Sequence, residues 1–345
     1  MPQNLPARTE HFHALSIVPN SWGSYHDADG LRLPNLAGPV SWRRRAIVWV
    51  SLVLVLVASL GTAITARPVL GFTIDDALTN GTPDDVADDL LDAARWSNVS
   101  GSYAEGNARG LGGGIEYSVA SDFCGRLIPQ FIDDLTCQDL RQSIQRSFDL
   151  WAEGHPTLRF VDTTDLVRPE LPGPGVSDPW RGFGAEIDLF ALSPDEYPRV
   201  RSFGTWTQFW CLFDDPIGTS GQVYPGNTIT SADLVFNPES CYHMDPALAG
   251  RGCNHFESLL LHEIGHSLGL DHPDEFPDRN FESDQDPTNP IAINCQSPAQ
   301  GLTSSPNITP QAVMTSGRGL PQPVRLELTQ DDLGGRNFLY PICTG

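Results

Sequence analysis

The chain has 345 residues, 40% of them hydrophobic, enough for a sizeable core plus accessory segments. Its formal net charge is −22, and all 21 basic residues are arginine. This balance argues against nucleic acid as a partner, because the phosphate backbone is repelled; it leaves solubility, attraction of cations such as calcium, or surface composition without a role as readings of the acidity.

Residues 1–45 are polar, with scattered Pro, Gly and His, and are expected to form a mostly disordered cytosolic tail. Ala46–Ala66 then runs for 21 residues without a charge, which as a helix spans about 30 Å, one bilayer core. Arg43, Arg44 and Arg45 precede it, and the positive-inside rule places the N-terminus in the cytosol. The expectation is a single-pass type II signal anchor with an extracellular or lumenal C-terminal bulk. The alternative is a signal peptide cleaved near Ala66, which gives a secreted protein. All seven cysteines, Cys124, Cys137, Cys211, Cys241, Cys253, Cys295 and Cys343, follow this segment, as an oxidising compartment would favour. Cys124–Cys137 and Cys241–Cys253 are candidate local disulfides, and the odd count leaves a thiol free or paired between chains. Asn80, Asn98 and Asn307 open N-x-S/T sequons, consistent with a glycoprotein in the same compartment.

Residues 67–112 read as a stalk or pro-segment, with a short acidic helix over Asp84–Trp96 and a flexible joint at Gly110–Gly114. The catalytic domain, residues 113–345, would open with Ile115–Val119, which alternates like an edge or half-buried strand. Thr136 can cap the next helix, with Asp139 three residues on. Leu140, Ile144, Phe148 and Trp151 form its apolar face, and Gly154 ends it. Leu158–Val161, Ala185–Phe190 and Ile229–Phe236 read as strands. The order of elements is that of an α+β domain.

The next segment carries the chemistry. His262, Glu263, His266, Gly269 and His272 spell H-E-x-x-H-x-x-G-x-x-H. Asn254, with Glu257 three residues on, is the expected N-cap of the helix beneath it, and Phe256, Leu260, Ile264 and Leu268 recur at helical spacing. Two histidines four apart lie one turn from each other and can grip one metal ion. Gly269 can take the left-handed conformation that stops the helix and returns His272 to the same ion. Three neutral imidazoles suit one zinc ion and leave a fourth position open, and Glu263 is placed to take a proton from water there.

With these residues the chain resembles the metzincin zinc proteases, and within them the matrixin (matrix metalloprotease) catalytic domain. Three further segments support the narrower name. Leu140–Trp151 looks like the first long matrixin helix, Val313, Met314 and Thr315 look like the Met-turn, and Leu328–Asp332 with Leu339 and Tyr340 resembles the two ends of the last helix. The resemblance runs from about Gly113 to Tyr340 with gaps. It implies a twisted mixed sheet, a first long helix, a zinc-binding active-site helix and a C-terminal helix. His262, His266 and His272 would be the zinc ligands, Glu263 the general base and Met314 a packing floor. From the residues alone, Thr329 can cap the last helix with Asp332 at its third position; the resemblance implies that Asp331 and Asp332 anchor other segments, with capping and solvent exposure as the alternative. Ser231–Phe236 would be the sheet edge that pairs with an extended peptide substrate.

The chain departs from the matrixin pattern in several places. No histidine lies between His155 and His243, so the structural zinc of matrixins is expected to be absent, with disulfides in its place. The link from His272 to Met314 is 42 residues, so substrate preference does not carry over. Its acidic run, Asp271–Asp286, reads first as a solvated loop and second as a calcium site, without EF-hand spacing. No cysteine lies between Ala66 and Cys124, so cysteine-based latency is not expected; an aspartate of the stalk as substitute, and no zinc-blocking latency at all, stand as equal alternatives. The implied activity is zinc-dependent hydrolysis of internal peptide bonds in extracellular or cell-surface proteins. The alternatives are an astacin- or pappalysin-like metzincin and a membrane-anchored adhesion or binding protein without activity.

Overall fold

Sixteen residues from Cys137 to Ala152 form the long first helix, and its ends follow from two local rules. The Thr136 hydroxyl accepts from the Asp139 amide, while the Asp139 carboxylate accepts from the Thr136 amide at 2.8 Å, a reciprocal capping box. Gly154 just past the C-terminus has φ +70°, the left-handed conformation that stops a helix. Leu140, Ile144, Phe148 and Trp151 are all buried, as their spacing requires.

The computed structural model describes residues 73–74, 93–96, 110–166, 169, 184–201, 205–212, 228–274, 281–282, 303–304, 311–316 and 323–340. In chain order the named elements are β1 (Thr73–Ile74), α1 (Gly110–Gly113), β2 (Ile115–Val119), α2 (Phe123–Leu127), α3 (Cys137–Ala152), β3 (Phe160–Asp162), β4 (Ile187–Ala191), β5 (Thr205–Leu212) and β6 (Thr228–Phe236). They continue with β7 (Tyr242–His243), β8 (Asn254–His255), α4 (Phe256–Ser267), β9 (Leu270–Asp271), β10 (Phe281–Glu282), β11 (Thr303–Ser304) and α5 (Gln330–Leu339). The expected tail, Ala46–Ala66, the three sequons, Cys295 and Cys343 lie outside the described residues. No helix among the described residues is long and apolar enough to cross a membrane.

The fold is mixed α/β. Its main sheet runs β3-β2-β4-β6-β5, with β5 antiparallel to β6 and the other pairs parallel. Tyr117, Ile187 and Ala232 stand in register across three strands and so share one face. Both long helices cover that face. Tyr117 stacks on Phe148 of α3 with ring centroids 4.0 Å apart, and Phe236 meets Phe256 of α4 at 5.0 Å. Trp151 Nε1 donates to the Leu261 carbonyl at 2.8 Å, tying α3 to α4.

The structure corrects five expectations. Ile115–Val119 is an interior strand between β3 and β4, not an edge. Ser231–Phe236 is interior too: β6 lies between β4 and β5, and its Ala232, Asp233, Leu234, Val235 and Phe236 are buried on both faces. Among the described residues the edge beside the zinc-motif helix is β5, whose Thr, Trp and Phe content is a strand signal that the sequence reading passed over. Asn254 does not cap α4, because it is spent in β8 pairing with Tyr242. His255 caps instead, its ring accepting from the Ser258 amide at 3.2 Å, and Glu257 bonds Ser143 and Arg146 of α3. Gly110–Gly113 is a helical turn rather than a loose joint.

The fifth correction concerns the expected stalk. Ala93–Trp96 is not helical, and all four residues are buried. The Arg95 backbone carbonyl accepts from the Ile229 amide of β6 at 2.8 Å, and Trp96 Nε1 donates to the Ser267 carbonyl at 2.8 Å. Further upstream, Thr73–Ile74 pairs antiparallel with Leu270–Asp271. Part of the 67–112 segment is therefore built into the domain. The disulfides Cys124–Cys137 and Cys241–Cys253 are both formed.

Candidate metal centre

Helix α4 presents His262 and His266 one turn apart, with their Nε2 atoms 3.1 Å from each other. Gly269 follows with φ +96° and reverses the chain. Strand β9 then returns His272, whose Nε2 lies 2.9 Å from that of His262 and 3.0 Å from that of His266. Among the described residues this is the one group of three metal-ligating side chains whose donor atoms meet.

The other ring nitrogens decide what this convergence means. His262 Nδ1 lies 2.8 Å from the Val313 carbonyl, and His266 Nδ1 lies 2.8 Å from the Leu270 carbonyl. A carbonyl only accepts, so both Nδ1 atoms carry protons and both neutral rings present bare Nε2 lone pairs. Two bare nitrogens 3.1 Å apart cannot hydrogen-bond each other. Protonation is a costly remedy, because burial, then the His266 and His272 rings, hold His262 well below the ordinary imidazole range. A bound cation resolves the conflict. Nitrogens on one tetrahedral zinc at 2.0–2.1 Å stand about 3.3 Å apart, so the observed triangle fits with shifts of a few tenths of an ångström. The carbonyl bonds are also the outer contacts that orient metal-bound imidazoles.

Glu263 is buried and points toward β5. Thr205 Oγ1 donates to Oε1 at 2.5 Å, and Thr207 Oγ1 donates to Oε2. Burial pushes the carboxyl up from its ordinary value, and the two hydroxyls and His272 pull the other way. Sequence reasoning missed both threonines. Their alternate spacing in β5 was readable, but their contact with α4 was not.

Met314 lies under the helix. A Cβ added to Gly265 would stand 2.1 Å from Met314 Sδ and 2.9 Å from Trp151 Cζ2, so the helix backbone is pressed onto this floor. Asp332 holds the turn from below. It accepts from the Val313 amide at 3.0 Å, the Met314 amide at 3.1 Å, and the Thr329 amide and hydroxyl at 2.8 Å each. The expected α5 cap is thus also the anchor of the Met314 turn. Asp274 joins the chain after His272 to the same turn, accepting from the Ser316 amide at 2.7 Å and hydroxyl at 2.5 Å. Of the acidic run read first as a solvated loop and second as a calcium site, Asp271 Oδ1 and both carboxylate oxygens of Asp274 accept from protein donors, and 275–280 and 283–286 lie outside the described residues.

No family model matches the chain. No curated protein matches it either. Among solved structures, a chain titled "GM1 bound form of the ECX AB5 holotoxin" is 16% identical, covering 67% of this chain and 81% of that one with a TM-score of 0.33. A likeness of that size carries no argument about function.

Proposed function

We propose that this chain is a zinc-dependent endopeptidase of the metzincin class, matrixin-like in its motifs, acting on extended segments of extracellular or cell-surface proteins. The observation that carries the reading is the meeting of three histidine Nε2 atoms within 3.1 Å, two of them stripped of protons by carbonyl contacts, beside a buried carboxylate. His262, His266 and His272 hold the ion. Zinc bound there supplies Lewis-acid activation of water and of a peptide carbonyl. Glu263 takes the proton from the attacking water at its carboxylate and returns it to the leaving amine. Strand β5, which ends the sheet among the described residues, offers its backbone to an extended peptide. Two formed disulfides support an oxidising compartment, with Ala46–Ala66 as the proposed anchor.

The test is cleavage of a denatured protein by the purified full-length chain in detergent, with and without a zinc chelator, beside Glu263→Ala. Chelator-sensitive cleavage that disappears in a variant retaining its zinc is the expected result. A folded, zinc-loaded protein that cleaves nothing favours a binding module, and a folded protein that takes up no zinc overturns the reading.

A further inference from the structure

We infer that Thr205 and Thr207 are positioning residues that fix the orientation of Glu263; this rests on the protease reading above. The two stand two apart on β5, so their side chains leave the strand on the same face. That face is the one α4 covers, because Thr205 and Thr207 are in register with Phe236 and Leu234 of β6, and Phe236 meets Phe256 of α4. The Thr205 hydroxyl donates to Glu263 Oε1 at 2.5 Å and the Thr207 hydroxyl to Oε2. Thr207 Oγ1 also lies 3.2 Å from the Glu263 backbone carbonyl, which keeps the hydroxyl close to the helix at either acceptor.

This grip sets the base in a way that a single contact would not. The last torsion of a glutamate is broad and nearly two-fold, so one hydrogen bond leaves the carboxylate plane free to swing. A donor on each oxygen fixes the plane. It also uses one lone pair on each and leaves the other for a water molecule. Threonine is suited to this, since its branched Cβ limits χ1 and holds the hydroxyl where the strand puts it. The strand is itself fixed by antiparallel pairing with β6 along Thr205–Leu212. Among the described residues the same strand ends the sheet, so a peptide docking along it is registered against the element that aims the base. Substrate register and base orientation thus share one rigid part.

The experiment compares Thr205→Val/Thr207→Val with Thr205→Ser/Thr207→Ser in the full-length, zinc-loaded protein. Valine keeps the shape and removes the hydroxyl, and serine keeps the hydroxyl. The valine pair is expected to lower kcat by about tenfold to a hundredfold, the scale of a misplaced catalytic group, with KM and zinc content unchanged. The serine pair is expected to recover most of the loss. A second readout needs no activity: in zinc-free protein, the valine pair should lower the denaturation midpoint more in the wild-type background than in Glu263→Ala, where only the Thr207 contact with the residue-263 backbone carbonyl remains to be lost. Valine variants that turn over at the wild-type rate overturn the inference. So do valine and serine pairs that are equally impaired, or a stability loss as large in Glu263→Ala as in the wild-type background. A wild-type protein that holds zinc and cleaves nothing refutes the protease reading instead, and the stability cycle still decides whether the threonines hold Glu263.

Discussion

Gly269→Ala tests whether residues 93–96 belong to the metal centre. Gly269 has φ +96°, and a Cβ there would stand 1.9 Å from the Ala94 carbonyl oxygen. Both obstacles lie in backbone, so no side-chain rotation relieves them. The left-handed conformation costs an L-residue about 1–2 kcal/mol, and forcing an atom into a packed site costs about 1–3 kcal/mol more. Gly154→Ala is the control, because Gly154 has φ +70° and nothing within 4 Å of its added Cβ. It should show the conformational cost alone. For a domain of this size, about 1 kcal/mol shifts Tm by about 2–4 °C. Scanning calorimetry of zinc-free protein should then give a drop of roughly 4–20 °C for Gly269→Ala and roughly 2–8 °C for Gly154→Ala, with the first the larger of the two. Competition with a zinc chelator should show weakened affinity only in the first, since Gly269 lies three residues before His272. Equal shifts in the two variants, with equal zinc affinity, would mean that Ala94 does not pack under the turn, and would return the 93–96 segment to a stalk.

Two further outcomes follow from buried polar groups. His155 is held by the Tyr340 carbonyl at 2.7 Å and the Leu158 amide at 2.9 Å, and burial pushes its pKa down to about 4. The unfolded state therefore binds the extra proton between pH ~6.5 and the folded value, so stability falls as pH drops through that window and levels off below it. Urea midpoints of zinc-free protein between pH 4 and 7 should fall less steeply in His155→Gln than in wild type; parallel curves would refute the assignment. Asp332→Asn presents an amide where donors face both oxygens, Met314 N on one and Val313 N and Thr329 on the other. A loss of roughly 2–4 kcal/mol is expected, together with weaker zinc binding, because the Val313 carbonyl orients His262. An unchanged denaturation midpoint would show that Asp332 does not anchor the turn.

The parts of this structure that were legible in the sequence are those set by rules a few residues long. The α3 stripe of Leu140, Ile144, Phe148 and Trp151, its Thr136–Asp139 cap and the Gly269 reversal are all contained in short windows. So is the placement of His262 and His266 on one helix face, and the HExxHxxGxxH spacing carried His272 to the same point. The errors came where a choice depended on distant chain. Asn254 is a good cap in isolation, yet it is consumed by pairing with Tyr242. Ile229–Phe236 was recognised as a strand, but its interior place depends on β5, whose Thr-Trp-Thr-Gln-Phe-Trp run was not assigned.

The same distinction separates the two halves of the candidate site. The metal triangle is built within eleven residues and one turn, so its geometry survives as a sequence pattern. The setting of Glu263 is not local. Thr205 and Thr207 lie 58 and 56 residues before it and reach it only because β5 pairs with β6 while α4 packs on that face. The turn under Met314 depends likewise on Asp332, 18 residues further on. A motif can therefore state which residues would bind an ion, while the threonine and aspartate contacts that hold Glu263 and the Met314 turn are consequences of the sheet register and the α5 cap. A variant that preserves all eleven motif residues and shifts β5 by one position would replace Thr205 and Thr207 with side chains from the opposite face, leaving the histidine triangle intact and Glu263 unheld.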